Sequence, residues 1–138
     1  MKVCIIVSNF YPKISELLIK GAISKLKKNK IFNFKIVNVP GTFEIPVVLS
    51  YLISKYDAFI VLGCIIKGQT SHFHYLCSSV INGITSLSIK SKKAIGNGIL
   101  TCDNKKQAIN RADPNKKDKG GDAAEAAISV FNIISNAK

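Results

Sequence analysis

Residues 59–75 read FIVLGCIIKGQTSHFHY, and this stretch combines a buried strand, a turn and the start of a helix. The apolar run from Phe59 to Ile66 is typical of a strand that is buried on both faces. Gly68 breaks the run, small hydrogen-bonding residues follow, and His72 begins a helical pattern. Unpaired N–H groups and the positive end of the helix dipole meet at such a turn, where a histidine can also transfer protons near neutral pH. The stretch therefore predicts an anion site beside a proton-transfer group, at the end of a central strand.

Strands and helices alternate along the rest of the chain, which predicts an α/β fold with a parallel sheet. Strands are predicted at Val3–Val7, Phe34–Val39, Ala58–Leu62 and Ala94–Leu100. Apolar residues at helical spacing predict helices over Lys13–Lys28, Phe73–Ser88 and Asn104–Ala112, and from Asp122 to the end of the chain. A further helix is predicted to follow Thr42 and to continue through Val47–Ser54. The alternating strand Phe34–Val39 belongs near a sheet edge. No internal repeat is present, so residues 1–138 are predicted to form a single domain.

Local residue choices predict how these elements begin and pack. Thr42 is expected to cap the second helix, with Glu44 in its first turn, and Thr101-Cys102-Asp103 to cap the fourth. The glycines at 96 and 98 indicate close approach to the fourth strand by another segment or a ligand. The final helix is expected to turn its apolar residues inward, namely Ala123, Ala127, Val130, Phe131 and Ile134.

The composition excludes several classes of protein. The chain has 138 residues, of which 47% are hydrophobic, and no apolar run approaches the roughly 20 residues of a membrane span. No signal peptide is recognisable, so a cytoplasmic protein is expected. The four cysteines are scattered and read as reduced, buried thiols, without the spacing of a metal site. The net charge of +12 comes almost entirely from dispersed lysines, which indicates a compositional bias more than a nucleic-acid interface.

Arg111 is the only arginine of this lysine-rich chain, and arginine offers a bidentate fork for phosphate or carboxylate that lysine lacks. Parallel sheets bind ligands outside the carboxyl ends of their strands. Phe10, Glu44 and His72 all follow predicted strand ends, which indicates one shared site. Such a set suits a flat heterocycle stacked on Phe10 and bonded by Glu44. A phosphorylated partner could then bind at Gln69, Thr70 and Arg111, and His72 would transfer protons in a condensation achieved mainly by positioning.

Several segments, in this order and spacing, resemble the signature segments of the 6,7-dimethyl-8-ribityllumazine synthase family. They are Ser8-Asn9-Phe10, the PGTFEIP segment at 40–46, the LGCIIKGQTSHF segment at 62–73, Gly98-Ile99-Leu100-Thr101 and the QAINRA segment at 107–112. The resemblance extends from about Lys2 to the final helix. It implies a three-layer α/β sandwich with a four-stranded, mainly parallel sheet in flavodoxin-like strand order.

The resemblance also implies a reaction, the penultimate step of riboflavin biosynthesis. A transferase of this family condenses 5-amino-6-(ribitylamino)uracil with 3,4-dihydroxy-2-butanone 4-phosphate, releasing phosphate and water. By position, Phe10 would stack on the pyrimidinedione and His72 would be the catalytic proton-transfer residue. The remaining implied binding residues are Thr42, Phe43, Glu44, Cys64, Ile65, Ile66 and Asn97 for the ring and ribityl chain, and Gln69, Thr70, Arg111 and Lys119 for the phosphate.

The family resemblance further implies small-molecule substrates, no metal or organic cofactor, no nucleic-acid or membrane partner, and riboflavin synthase as the pathway partner. Its sites lie between subunits of a homopentamer. Asn97 stands where many members place a phenylalanine against the substrate ring, so stacking would be one-sided. The connector Asp113–Lys119 lacks the glycine-containing turn of icosahedral members, and the chain starts at its first strand. Both features favour a free pentamer over a sixty-subunit capsid.

Two other classes of function remain open at this point. A non-catalytic flavin-binding or phospholigand-binding module on the same fold would bind a ring compound tightly without turnover. A basic nucleic-acid binder would show strongly salt-dependent binding to DNA or RNA. Incubation with the two substrates separates the first alternative from the enzyme, and a binding assay at low salt tests the second.

Overall fold

Four parallel strands form one sheet in the order β2-β1-β3-β4 in a computed structural model that describes residues 1–137. The strands are β1 (Val3–Ser8), β2 (Phe34–Val39), β3 (Ala58–Ile66) and β4 (Ala94–Cys102). β1 is buried throughout and β3 almost throughout, as their continuous apolar runs predict for central strands. β2 is only partly buried and lies at a sheet edge, which confirms the interpretation of its alternating pattern.

The helices cover both faces of the sheet, which confirms the predicted three-layer sandwich. They are α1 (Pro12–Lys28), α2 (Ile45–Leu52), α3 (His72–Ser91), α4 (Lys105–Ala112) and α5 (Lys119–Asn136), and a short 3₁₀ helix spans Thr42–Glu44. Alternate residues of β1 point to opposite faces. Val3, Ile5 and Val7 pack with α1, α4 and α5, whereas Cys4 and Ile6 pack with α2 and α3. The strand order agrees with the predicted flavodoxin-like arrangement.

The helix starts differ from prediction at three places. Thr42 does not cap α2: it lies in the 3₁₀ helix, forms no side-chain capping hydrogen bond, and α2 begins only at Ile45. Asn104 caps α4 in place of Asp103, because its side chain accepts a hydrogen bond from the Gln107 N–H at 2.9 Å. The Gln107 side chain in turn accepts from the Asp103 N–H at 2.8 Å, so the two side chains satisfy backbone donors reciprocally.

Helix α5 begins at Lys119, three residues before the predicted start at Asp122. Asp118 has a left-handed backbone conformation (φ 46°) and its carboxylate accepts a hydrogen bond from the Gly121 N–H. Of the residues predicted to point inward, Ala123 and Ala127 are buried, whereas Val130 is 39% exposed. Gly96 of β4 confirms the predicted close approach, because a Cβ atom there would lie 1.8 Å from the carbonyl oxygen of Ala123 in α5.

Candidate functional site

A cavity of about 650 Å³ opens at the carboxyl edge of the sheet, where the segments after β1, β2 and β3 meet. This is the edge at which open parallel sheets bind ligands, as the sequence predicts. The walls are largely apolar with a few polar groups, the usual character of a small-molecule pocket. The cavity is lined by Phe10, Tyr11, Pro40, Gly41, Thr42, Phe43, Glu44, Cys64, Ile65, Ile66, Gly68, Thr70, His72, Phe73 and Leu76.

Phe10 presents its ring to the cavity from the loop after β1 and is 67% exposed. The neighbouring Tyr11 ring contacts it in a T-shaped arrangement, with the ring centroids 4.9 Å apart and the planes at 77°. The backbone of this loop is tied to the edge strand, because the Asn9 N–H donates to the Val39 carbonyl at 3.0 Å. An exposed aromatic face at a cavity wall suits stacking on a flat heterocycle.

The 3₁₀ helix supplies the next part of the wall. Thr42 is 5% exposed because its methyl group packs over Gly63, where a Cβ atom would lie 2.8 Å from Thr42 Cγ2. Glu44 is half-buried, and its backbone N–H donates to the Gly41 carbonyl at 3.3 Å. Within residues 1–137 the Glu44 carboxylate forms no salt bridge. A carboxylate without a cationic partner at a cavity wall is available to accept hydrogen bonds from ring or chain donors of a ligand.

The end of β3 forms the floor of the cavity with Cys64, Ile65 and Ile66. Burial raises the pKa of the Cys64 thiol to about 12, and the neighbouring Cys102, through its charge and a side-chain hydrogen bond, adds to the rise. The thiol therefore stays neutral at physiological pH and contributes an apolar wall more than a nucleophile. All four cysteines are free; three are buried as expected, whereas Cys77 is half-buried.

The turn after β3 brings Gly68, Thr70 and His72 to the cavity. His72 is the first residue of α3 and is exposed, and its backbone N–H approaches Thr70 Oγ1 at 3.4 Å. The Ser71 side chain does not cap α3, and the His74 N–H donates to the Ser71 carbonyl at 3.1 Å, so the Phe73 N–H is the first-turn donor without a protein partner among the described residues. Helix starts of this kind favour anions, and the imidazole is positioned to act on groups bound at the turn.

Four of the residues predicted from the sequence do not line the cavity: Gln69, Asn97, Arg111 and Lys119. Asn97 is exposed on β4, where its side chain accepts a hydrogen bond from the Ile99 N–H at 3.0 Å. Arg111 ends α4 and donates to the Gln107 carbonyl at 3.3 Å. Lys119 pairs with Asp122 at 3.5 Å. The arginine and the lysine predicted for the phosphate are thus outside the cavity of the single chain.

The cavity also contains residues to which the sequence reasoning assigned no role. Tyr11 is the clearest case, since it lines the cavity, contacts Phe10 and lies near Cys64, whose charge adds to the burial that raises the pKa of the Tyr11 phenol. The sequence position of Tyr11 could have indicated this place in the site, because Tyr11 directly follows Phe10 at a strand end. Phe73 and Leu76 line the cavity from the first turns of α3. Their helical spacing is the same as that of core residues, so the sequence pattern does not distinguish them from the core.

Within the described part of the chain, no three His, Cys, Asp or Glu side chains come together in an arrangement that could hold a metal ion. None of the helices described is sufficiently long and apolar to cross a membrane.

Comparison with known proteins connects the fold and cavity to one family. The model of the family described as 6,7-dimethyl-8-ribityllumazine synthase matches residues 1–135. A protein of that name from Bartonella tribocorum is 41% identical over 95% of this chain and 88% of its own length. The synthase from Zymomonas mobilis is 40% identical over 96% of this chain and 95% of its own. The synthase from Cutibacterium acnes is 37% identical over 99% of this chain and 84% of its own.

Proposed function

The chain belongs to the 6,7-dimethyl-8-ribityllumazine synthase family, and from this premise we propose how its cavity performs the reaction. The enzyme is a transferase that condenses 5-amino-6-(ribitylamino)uracil with 3,4-dihydroxy-2-butanone 4-phosphate and releases phosphate and water. The observation that carries the proposal is the single cavity at the strand ends, which joins an aromatic face, a carboxylate, an uncapped helix start and a histidine.

The uracil substrate occupies the half of the cavity formed by the strand ends. Phe10 stacks on the pyrimidinedione ring, since its exposed face is turned to the cavity. Glu44 accepts hydrogen bonds from the ring edge and the ribityl chain, together with Thr42 and the backbone around Phe43. Cys64, Ile65 and Ile66 provide the apolar floor. This arrangement fixes the amine of the substrate towards the turn after β3, where the second substrate binds.

The butanone phosphate binds at the turn, with its phosphate near Gln69, Thr70 and the positive N-terminal end of α3. The amine of the first substrate attacks the ketone carbon, and loss of water leaves a carbon–nitrogen double bond. Proton transfer and loss of phosphate, which leaves with the bonding electron pair, convert the neighbouring hydroxyl-bearing carbon into a carbonyl. The ribitylamino nitrogen attacks this carbonyl carbon, and loss of a second water closes the ring of the product. Each step moves protons between nitrogen, carbon and oxygen, and His72 is the group at the turn that accepts and returns them.

The phosphate half needs cations that the single chain does not bring to the cavity. Arg111 and Lys119 come from a neighbouring subunit, and Asn97 of that subunit faces the exposed side of the substrate ring. Exposed apolar side chains at the cavity rim and along α2 support association with a second copy: Phe43 is 64%, Val47 65% and Tyr51 73% exposed. The assembly is a homopentamer with one site at each of its subunit boundaries. It acts in the cytoplasm and supplies riboflavin synthase.

The primary experiment incubates the purified protein with the two substrates and follows the absorbance and fluorescence of the lumazine product. We expect the product to appear only when both substrates are present, with release of inorganic phosphate in equal amount. Tight binding of the lumazine without any turnover would show that the protein is a non-catalytic binding module and not an enzyme. Light scattering measures the assembly in parallel: a particle five times the chain mass supports the pentamer, and one near sixty times indicates a capsid.

Subunit mixing tests whether each site is shared. A Glu44→Gln variant and an Arg111→Ala variant carry defects in opposite halves of the cavity and are each expected to be nearly inactive. After the two are unfolded together and refolded as mixed assemblies, about a quarter of the sites should combine two parent halves, because each half is drawn independently. Activity that rises towards this fraction supports shared sites. Activity that stays at the level of the separate variants would place Glu44 and Arg111 in one subunit's site.

A further inference from the structure

We propose that Tyr11 is a positioning residue for the uracil substrate, which holds the Phe10 ring in the orientation needed for stacking. This inference rests on the proposed function, because it assumes that Phe10 stacks on the pyrimidinedione. It adds a second aromatic side chain to the site, one that acts on the substrate through its neighbour.

Phe10 lacks the support that fixes a core side chain. It lies outside β1, in the loop before α1, and 67% of its surface is exposed. Its one aromatic contact among residues 1–137 is with Tyr11, at 4.9 Å and 77°. A phenylalanine that is this exposed samples several rotamers unless a neighbour restricts it. The perpendicular contact with the Tyr11 ring leaves less space for other rotamers of Phe10, and so favours the orientation in which Phe10 lines the cavity.

Tyr11 itself is held from three directions. Its carbonyl accepts hydrogen bonds from the Ser15 backbone N–H and the Ser15 hydroxyl, both at 3.0 Å, which fix it at the start of α1. The ammonium group of Lys105 in α4 lies 5.8 Å from the centre of its ring, within cation–π range. The ring is half-buried and packs against the core between the sheet and α1. Because these contacts hold the Tyr11 ring in place, it can restrict the motion of the exposed Phe10 ring.

Burial raises the pKa of the Tyr11 phenol, and the nearby Cys64 adds to the rise. The hydroxyl therefore remains protonated over the working pH range and brings no negative charge to the heterocycle side of the cavity. The positioning role belongs to the ring, and the hydroxyl is dispensable for it. This separates the expected behaviour of Tyr11→Phe, which keeps the ring, from that of Tyr11→Ala, which removes it.

The test measures the dissociation constant of the lumazine product by its fluorescence, and the two substrate KM values where turnover is present. Tyr11→Ala should weaken lumazine binding and raise the KM for the uracil substrate about three- to tenfold, the usual range for one aromatic pair. The KM for the butanone phosphate should change by less than about twofold. Tyr11→Phe should restore the parent values within about twofold. Phe32→Ala, which removes an aromatic ring of equal exposure (67%) far from the cavity lining, serves as the matched control.

The double variant Phe10→Ala/Tyr11→Ala shows whether Tyr11 acts on the ligand through Phe10 or by a contact of its own. If Tyr11 acts through Phe10, adding Tyr11→Ala to Phe10→Ala should weaken lumazine binding no further. Additive losses, or equal effects on both substrates, would overturn the inference. A lumazine affinity of Tyr11→Ala within twofold of the parent would also overturn it. Thermal unfolding is measured for each variant, and Tyr11→Leu, which keeps apolar bulk without an aromatic edge, replaces Tyr11→Ala if the latter does not fold.

The two proposals can fail separately. A parent protein that binds the lumazine but makes none refutes the enzymatic proposal, while the binding measurements still decide the role of Tyr11. A parent protein with full turnover whose Tyr11→Ala variant is unaffected refutes only the role of Tyr11.

Discussion

The two sides of the cavity are built in different ways. The heterocycle side comprises Phe10, the 3₁₀ helix Thr42–Glu44 and the floor Cys64–Ile66, which follow or end three adjacent strands. The phosphate side comprises the turn Gly68–His72 and the predicted cations Arg111 and Lys119. The turn is exposed, and neither cation lines the cavity. The sheet therefore fixes the heterocycle side within one chain, whereas the phosphate side is left open.

In the proposed enzyme, this difference would mean that folding of one chain forms the heterocycle side, whereas association of subunits completes the phosphate side. Parallel strands β2, β1 and β3 hold three loops at fixed spacing, so a rigid ring can be recognised by the monomer fold itself. A phosphate needs convergent positive charge, and an exposed turn with a helix start supplies only part of it. We expect variants on the heterocycle side to act through stability and ring binding, and variants on the phosphate side to act through turnover and phosphate affinity.

The largest effect is expected at His72, which lies where the two sides meet. His72→Ala should lower kcat about a hundredfold, at the lower end of the roughly hundred- to ten-thousand-fold range of general acid–base catalysis, because protons must then move through water. Steady-state kinetics should show little change in either KM. His74→Ala is the matched control, since His74 is exposed two residues away and does not line the cavity. A His72→Ala rate within twofold of the parent would make this histidine a structural residue.

Gly63→Ala should have the next largest effect, on the heterocycle side. The new Cβ atom would lie 2.8 Å from Thr42 Cγ2 and 3.1 Å from Ser8 Cβ, so the buried Thr42 and the 3₁₀ helix that carries it must shift. We expect the free energy of unfolding to fall by about 2 kcal/mol, as for other overpacked cores, measured by urea denaturation at one protein concentration. At Gly68, on the phosphate side, a Cβ atom meets nothing within 4 Å. The free energy of unfolding of Gly68→Ala should therefore stay within about 0.5 kcal/mol of that of the parent. If Gly63→Ala and Gly68→Ala were destabilised equally, the two sides of the cavity would not differ in packing as we expect.

Arg111→Lys should have a smaller effect, confined to the phosphate side. Lysine keeps the charge but loses the bidentate fork, so the KM for the butanone phosphate should rise about tenfold while the KM for the uracil substrate stays unchanged. Lys106→Arg is the control, because it exchanges lysine for arginine at another position of α4. Both substrate KM values of this variant should stay near those of the parent. An unchanged KM for the phosphorylated substrate in Arg111→Lys would remove Arg111 from the site.

The sequence predicts the heterocycle side well because its signals are local. Continuous apolar runs identify β1 and β3 as central strands, and the rule that ligands bind at carboxyl strand ends then brings Phe10, Glu44 and Cys64 together. Residue type alone also predicts Arg111 as a phosphate ligand, but Arg111 does not line the cavity of the single chain, so in the proposed site its placement depends on a neighbouring subunit. The sequence pattern of a single chain contains no information on how a neighbour is oriented.

Two of the incorrect predictions, at Thr42 and at the start of α5, share a physical cause, since each depends on a contact with a distant segment. Asp118 adopts its left-handed conformation at the start of α5 where α1 leaves room for its carboxylate: a Cβ atom at Gly21 would lie 2.1 Å from Asp118 Oδ1. Thr42 is held in the 3₁₀ helix by packing over Gly63 of β3, and so cannot serve as the cap that its local sequence favours. Local propensity is overridden at both places by tertiary packing.

The smallest expected effect concerns Cys64, a heterocycle-side residue next to groups that transfer protons. Burial, with the contribution of Cys102, raises its pKa from 9.0 to about 12. A thiol is neutral below its pKa, so at pH 8 the Cys64 thiol stays almost entirely protonated. Cys64→Ala should therefore leave the shape of the pH dependence of kcat unchanged between pH 6 and pH 9, measured in parallel with the parent. An alkaline limb that is present in the parent and absent in the variant would show that the thiol ionises in the catalytic range. The apolar floor would then be a titrating group, and the contrast between a passive heterocycle side and a proton-transferring turn would fail.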